Sequence, residues 1–175
     1  MNRSRYATSE LVATSVAILL PVLVLGARTV TAQAPAANAC GLVTASELQG
    51  VLGSTGKLTP GAIGGVQMCS GESATAKVML RLFKRTDSAS GNTEQAGIDA
   101  VKKMGAQVEV KTSGGITCMT MVPPANMAQM GFGTTCTVMS KAPMFAVIEV
   151  TAKTQKEMIP IDKLRGVAEK MATRF

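Results

Sequence analysis

Hydrophobic and polar residues alternate along much of this chain, as they do in strands that bury one face. In the clearest run, Val78, Leu80 and Leu82 are separated by single residues that include Arg81. Successive side chains of a strand point to opposite faces of the sheet, so a period of two predicts a half-buried strand. Runs of this kind predict strands, in chain order, over residues 66–69, 74–84, 107–111, 116–122, 132–139 and 144–153.

Three other stretches follow the period of a helix. Thr44 is followed three residues later by Glu47, which predicts a capping box at the start of a helix that Gly53 ends. The same box gives Glu47 a structural role in place of a catalytic one. A second helix is predicted over residues 93–104, and a third begins with Pro160 as its first residue.

The segment between the first helix and the first strand shows neither the period of a strand nor that of a helix. Residues 54–65 are rich in glycine and contain Thr59-Pro60-Gly61, which predicts a loop or turn. We interpret the weak likeness of residues 53–57 to a phosphate-binding loop in the same way, because the full motif is absent. The order of elements predicts an α+β fold, an antiparallel sheet of about five to six strands with about three helices packed on one face.

The first 34 residues have the organisation of a secretory signal peptide. Two arginines precede an apolar stretch at 11–25, and small residues before position 35 predict cleavage after Ala34. Cleavage after Ala39, a retained membrane anchor, and acylation of Cys40 are the alternatives. A retained anchor is disfavoured because the apolar stretch is shorter than the ~20 residues of a membrane span and is interrupted by proline.

The four cysteines all lie beyond the predicted signal peptide. An even number in an exported chain favours disulfides, and four cysteines allow three pairings. We favour Cys40–Cys69 and Cys118–Cys136, because each bridge closes a local loop. A metal site of four thiolates is the alternative, although no Cys-x-x-Cys pair is present. Residues 35–175 are therefore predicted to form a single disulfide-stapled domain.

The start of this predicted domain resembles a family of small bacterial proteins. The matching residues are Cys40, Leu42, Val43, Thr44, Glu47, Leu48, Leu52, Gly53 and Cys69. They resemble the opening Cys-x-Leu-Leu-Thr-x-x-Glu-Val of small exported or lipid-anchored bacterial domains of unknown function. The resemblance implies an exported location and the use of disulfides, and it implies no activity.

Composition argues against several classes of function. The chain contains no histidine, which removes the commonest general base and metal ligand, and it supports neither a Ser-His nor a Cys-His site. Loss of residues 1–34 takes away three of the 18 basic residues and one of the 11 acidic ones, leaving 15 and 10 and a net charge of +5. We predict no enzymatic activity, no cofactor and no nucleic-acid partner, and we interpret Lys77 and Arg81 as a solvated basic row.

The function that fits best is an exported binding protein, periplasmic or secreted, that touches the membrane only through its leader before cleavage. The loop 123–131 is apolar and rich in methionine, and the predicted Cys118–Cys136 bridge would tether it at both ends. We expect Met127, Met130 and Phe132 to contact an unknown protein, peptide or apolar ligand. The alternative is a periplasmic protein that binds a soft metal such as copper through methionines, namely Met119, Met121, Met127, Met130, Met139 and Met144.

Overall fold

Seven antiparallel strands form one sheet in the part of the chain that the computed structural model describes, residues 38–54, 57–84, 92–140 and 143–174. The strands are β1 (Thr59–Ile63), β2 (Val66–Glu72), β3 (Ala76–Lys84), β4 (Gln107–Ser113), β5 (Ile116–Val122), β6 (Phe132–Met139) and β7 (Met144–Ala152). The helices are α1 (Ala45–Leu52), α2 (Asn92–Lys103) and α3 (Ile161–Ala172), with short 3₁₀ helices at Ala39–Leu42, Ala125–Met130 and Gln155–Glu157.

The predicted leader, residues 1–34, lies outside the described residues. Among the residues that are described, none of the helices combines the length and the hydropathy that crossing a bilayer requires.

The sheet order is β1-β2-β3-β7-β6-β5-β4, and each neighbouring pair is antiparallel. The first half of the chain supplies three adjacent strands and the second half supplies the other four. The two halves meet where β3 pairs with β7, from Ala76 opposite Ala152 to Lys84 opposite Met144. We call this β3–β7 pairing the seam.

The α+β class is confirmed, but the sheet has one strand more than the five to six predicted. The additional strand is β1, which lies in the segment interpreted as a loop. It has no alternation to detect, because all five of its residues are exposed and it contains Pro60 and Gly61. Strand β1 lies at the edge of the sheet and pairs with β2 alone, a position where proline is tolerated.

One face of the sheet is covered, and the alternating residues of the central strands are buried there. On β3 these are Ala76, Val78, Leu80 and Leu82, and on β7 they are Ala146, Ile148, Val150 and Ala152. Helix α3 lies over β5 and β6 and buries Ile161, Leu164, Val167, Ala168 and Met171. Helix α1 packs on α3 and contributes Leu48 and Leu52 to the same core. The 3% aromatic content of the sequence predicts an aliphatic, methionine-rich core. The observed core is aliphatic, but among the described residues its methionines are Met171 and the partly buried Met144, so it is not rich in methionine.

A buried hydroxyl group links the sheet to the segment before α3. Thr134 of β6 is fully buried, and its hydroxyl donates a hydrogen bond to the backbone carbonyl of Ile159 at 2.6 Å. Because a buried hydroxyl without a partner is costly, this bond makes the position tolerable and fixes the chain as it enters α3. Pro160 caps α3 and is not its first helical residue.

Helix α2 does not contribute to this core. Its buried residue Ile98 is separate from the hydrophobic cluster formed by α1, α3 and the sheet. Among the strands, α2 has its main contacts with the edge strand β4. Its Val101 and Met104 lie beside Met121, which strand alternation places on the opposite face from the buried Thr120. Only two of the three helices therefore pack on the covered face.

Both disulfides that we favoured are confirmed. Cys40–Cys69 ties the first 3₁₀ helix to β2, and Cys118–Cys136 joins residues directly opposite each other on β5 and β6. No free cysteine remains. Each bridge lies within one half of the chain, so neither crosses the seam.

Candidate functional site

The loop between β5 and β6 is folded into two short helical turns. Its 3₁₀ helix, Ala125–Met130, is interrupted at Met127, whose φ of −122° and ψ of 15° are not helical. The Met127 N–H donates to the carbonyl of Pro124 at 2.8 Å, and the Gly131 N–H donates to that of Ala128 at 3.0 Å. The loop thus closes its turns with its own backbone and leaves its side chains free to make other contacts.

The end of this loop is held against β7. Gly131 has a φ of 80°, a conformation that L residues rarely adopt. A Cβ atom at this position would overlap the methyl group of Thr151 and lie 3.2 Å from the carbonyl oxygen of Ala152. The close approach requires glycine and fixes where the chain enters β6.

An apolar cleft lies between this loop and the end of α2. It is lined by Val101, Met104, Ala106, Met121, Pro123, Pro124, Met127 and Met130, and we call it the methionine cleft. No lining residue carries a polar side chain. Its empty space of about 230 Å³ includes open solvent, so the cleft is a shallow surface depression and does not enclose a ligand as small-molecule pockets do.

Three separate parts of the chain come together in the cleft. Gly105, with a φ of 91°, ends α2, and the Ala106 N–H donates back to the carbonyl of Val101 at 3.1 Å. This turn places Met104 and Ala106 at the cleft immediately before β4. On the neighbouring strand, Met121 is paired with Val108 and comes from the sheet face opposite the main core. Helix α2 also supplies Val101, and the 123–131 loop supplies Pro123, Pro124, Met127 and Met130.

The structure brings two of the three predicted contact residues together and separates the third. Met127 and Met130 line the cleft, and 51% of Met130 is exposed. Phe132 instead packs against the main hydrophobic core. Met104, also 51% exposed, lines the cleft as well. In the sequence it is only the last residue of the predicted helix 93–104, with nothing to mark it as a contact residue. The sequence does indicate that Phe132 faces the core, because it lies two residues before the buried Thr134 on β6 and so points to the same face of the sheet.

The cleft has a cross-linked support beneath it. Cys118 and Cys136 are fully buried and join the two strands that carry the 123–131 loop. The bond closes a segment with a sequence separation of 18 residues, worth about 3 kcal/mol by the loop-entropy argument. The loop therefore projects from two strands whose spacing is fixed covalently.

The basic row on the uncovered face of the sheet has carboxylate neighbours. Arg81 forms an ion pair with Glu149 on the adjacent strand β7, and Lys77 lies 3.8 Å from Glu72 on β2. The Nε atom of Arg81 is buried and has no hydrogen-bond partner. Each cation thus lies close to a carboxylate on the same face of the sheet. The carboxylates offset most of the positive charge of the row, so the row would attract an external anion only weakly.

Glu47 is occupied by structural contacts. It forms the predicted capping box with Thr44, and Arg174 near the end of the chain donates two hydrogen bonds to its carboxylate, both at 2.7 Å. Arg174 also donates to the carbonyl of Leu42 at 2.8 Å. The hydrogen bonds from Arg174 lower the pKa of Glu47 from 4.5 to about 2, with a smaller contribution from Thr44. A carboxylate held ionised in this way is poorly suited to act as a general acid.

Across the described ranges, no three His, Cys, Asp or Glu side chains are grouped so that they could hold a metal ion. Any ligand set built from these residues would therefore need contributions from outside those ranges. Comparison with known proteins adds no assignment: no protein family, no curated protein and no solved structure matches the chain.

Proposed function

We propose that this protein is an exported binding module that acts without catalysis and makes contact through the methionine cleft. The observation that carries the proposal is the cleft itself, an apolar surface outside the core with half-exposed methionines at its margin. Apolar side chains grouped at the surface offer a contact site for a partner. Methionine suits such a surface, because its flexible side chain adapts to differently shaped partners.

Several observations support a role in binding. The chain has no histidine, and Glu47 is engaged by Thr44 and Arg174. The cleft contains neither cations nor aromatic rings, so it lacks the groups that hold phosphates or stack on bases. A protein, peptide or apolar ligand is therefore the partner that we propose, and nucleic acid is not.

The proposed location is the periplasm or the medium outside the cell. The two disulfides are consistent with an oxidising environment of this kind. The signal peptide over residues 1–34 and the likeness of the segment after Cys40 to small exported domains stay predictions. Mass measurement of the mature protein, with and without reduction, tests the signal peptide and the disulfides, because it gives the cleavage point, any lipid and the number of thiols.

The contact surface can be tested with a polar double substitution. Met127→Ser/Met130→Ser makes two of the lining positions polar, and Met139→Ser is the matched control, since Met139 is 43% exposed and does not line the cleft. Partners retained by the immobilised mature protein from the exported fraction of its native cells are identified by mass spectrometry, purified and titrated. We expect the double variant to bind roughly tenfold or more weakly and the control to bind as the parent does.

Stability must be measured alongside binding. Partly exposed methionines should contribute little to the free energy of unfolding, so the double variant should lose less than about 1 kcal/mol in urea denaturation. A loss of more than ~2 kcal/mol would show that these side chains are core residues and would contradict the proposal. Unchanged binding of the purified partner by the double variant would contradict it equally.

A further inference from the structure

We infer that the methionine cleft binds one soft monovalent metal ion, Cu(I) or its redox-inert analogue Ag(I), through thioether sulfurs. The ligands that the structure assigns are Met104, Met121, Met127 and Met130, four of the eight residues that line the cleft. The inference assigns a second ligand, a metal ion, to the site proposed above, and it rests on that proposal only for the location of the site.

The four methionines reach the cleft by separate routes. Met104 follows the last turn of α2, Met121 lies on β5, and Met127 and Met130 belong to the loop helix. No local sequence motif links Met104 to the others, because only the fold brings the end of α2 against the loop. Four methionines from three elements thus line one surface, an arrangement that a single amphipathic segment would not produce.

Packing in the main hydrophobic core does not account for these residues. The chain does use methionine as a core filler at Met171, a fully buried residue of α3, and at Met144, which packs against the same cluster. None of the four cleft methionines belongs to that cluster or packs against it. Met104 and Met130 are each 51% exposed, so burial gives them only part of the stabilisation that a core position would.

The chemistry of the lining selects a soft, singly charged ion. Thioethers are soft neutral ligands that suit Cu(I), whereas Ca²⁺ and Mg²⁺ need oxygen ligands and Zn²⁺ prefers imidazole, thiolate or carboxylate groups. The lining offers none of those groups. Neutral ligands also leave the ionic charge uncompensated, so a divalent ion would lose far more hydration energy than it regained.

Thioethers are the soft ligands that remain in this chain. The sequence has no histidine, and its four cysteines are consumed in two disulfides. Thioether sulfur, unlike a thiol, stays available for metal binding when disulfides form. Lys102 and Lys103 stand next to Met104 and are exposed, so solvent and salt screen most of their repulsion of a bound cation.

The arrangement has both fixed and adjustable parts. Met121 comes from a strand paired on both sides, and the loop begins and ends on strands joined by the Cys118–Cys136 bridge. The methionine side chain has three rotatable bonds, which lets sulfurs on a fixed backbone close around an ion. The bound state therefore needs rotamer changes and no rearrangement of the sheet.

The test uses Ag(I) as the probe, because it needs no reductant. The mature, fully oxidised protein is titrated with silver nitrate in chloride-free buffer and followed by calorimetry and native mass spectrometry. We expect one equivalent of Ag(I) to bind more tightly than about 1 μM, with no binding of Zn²⁺ or Ca²⁺. Anaerobic Cu(I) should compete for the same equivalent.

Isosteric substitutions separate sulfur chemistry from apolar contact. Met127→Leu/Met130→Leu keeps apolar side chains of similar volume and removes two thioethers. We expect it to bind Ag(I) roughly tenfold or more weakly, whereas Met139→Leu, which changes an exposed methionine outside the cleft, should bind as the parent does.

Two results would overturn the inference: no Ag(I) binding tighter than about 1 μM, or equal binding by the parent and the leucine double variant. Either leaves the proposed function standing, because the leucine variant retains the apolar surface. Conversely, a serine double variant that still captures the partner, combined with a leucine variant that loses Ag(I), would remove the protein-contact proposal and keep the metal site.

Discussion

Replacing Arg174 by alanine should destabilise this fold at neutral pH by about 1–2 kcal/mol. The substitution removes three hydrogen bonds that join the segment after α3 to α1 and to the 3₁₀ helix before it. Two run from the Arg174 guanidinium to the Glu47 carboxylate at 2.7 Å, and the third reaches the carbonyl of Leu42 at 2.8 Å. Arg174 and Glu47 are separated by 127 residues in sequence, so the contact ties together distant parts of the chain.

The magnitude follows from the pKa of Glu47. A carboxyl group whose pKa falls from 4.5 to about 2 on folding would contribute about 3 kcal/mol at neutral pH. That figure is an upper limit, because the Arg174 side chain is 30% exposed and solvent screens the pair, although only 12% of the Glu47 side chain is exposed. Thr44 also holds the carboxylate through the capping box, and that part of the stabilisation survives the substitution.

The lowered pKa of Glu47 also predicts how the effect of Arg174→Ala changes with pH. Folding lowers the pKa of Glu47, so its stabilisation is fully present above about pH 4.5 and is lost as the pH falls towards 2. The difference in unfolding free energy between the parent and Arg174→Ala should therefore be constant near neutral pH. It should shrink as the pH drops from 4.5 to about 2.

Urea denaturation of parent, Arg174→Ala, Glu47→Gln and the double variant at several pH values measures these quantities. Lys163→Ala, which changes an exposed lysine on α3, is the control and should shift stability by less than ~0.5 kcal/mol. The reasoning is refuted if the Arg174→Ala effect stays the same down to pH 2. It is refuted also if the two single substitutions are additive, because contacting partners must show a coupling energy.

Two further substitutions test the support of the methionine cleft. Replacing both Cys118 and Cys136 with alanine should cost about 3 kcal/mol in urea denaturation, and a loss below ~1 kcal/mol would mean that the bridge adds little to the paired strands. Gly131→Ala should destabilise by roughly 2 kcal/mol or more, because its Cβ would overlap Thr151 at a φ of 80°. The control Gly133→Ala, whose added Cβ would meet no atom within 4 Å, should cost less than ~1 kcal/mol in the same urea denaturation; equal effects of the two substitutions would contradict the close approach.

Elements specified by neighbouring residues were predictable from the sequence. The start and end of α1 follow from Thr44, Glu47 and Gly53, and the structure has all three in the expected roles. The alternation of β3 and β7 marked their buried faces for the same reason, since burial on one side leaves a period of two. The favoured cysteine pairing also rested on short separations along the chain.

Features that depend on contacts between distant segments were not predictable. Strand β1 has no signal of its own, because its backbone is ordered by pairing with β2 and its side chains are exposed. The hydrogen bonds from Arg174 to Glu47 require the docking of α3 on α1. Met104 joins the cleft only because Gly105 turns the chain at the end of α2, beside Pro124. Secondary-structure propensity and residue spacing carry no information about which distant segments of the chain will be in contact.

The absence of a covalent link across the seam shapes how the chain can reach its fold. Cys40 and Cys69 both precede β3, so the first bridge can form while the second half of the chain is still being synthesised or is unfolded. Docking of the halves then proceeds by hydrogen bonding and packing alone. Neither disulfide has to break for a misaligned pairing of β3 with β7 to be undone, because both bonds lie within one half of the chain.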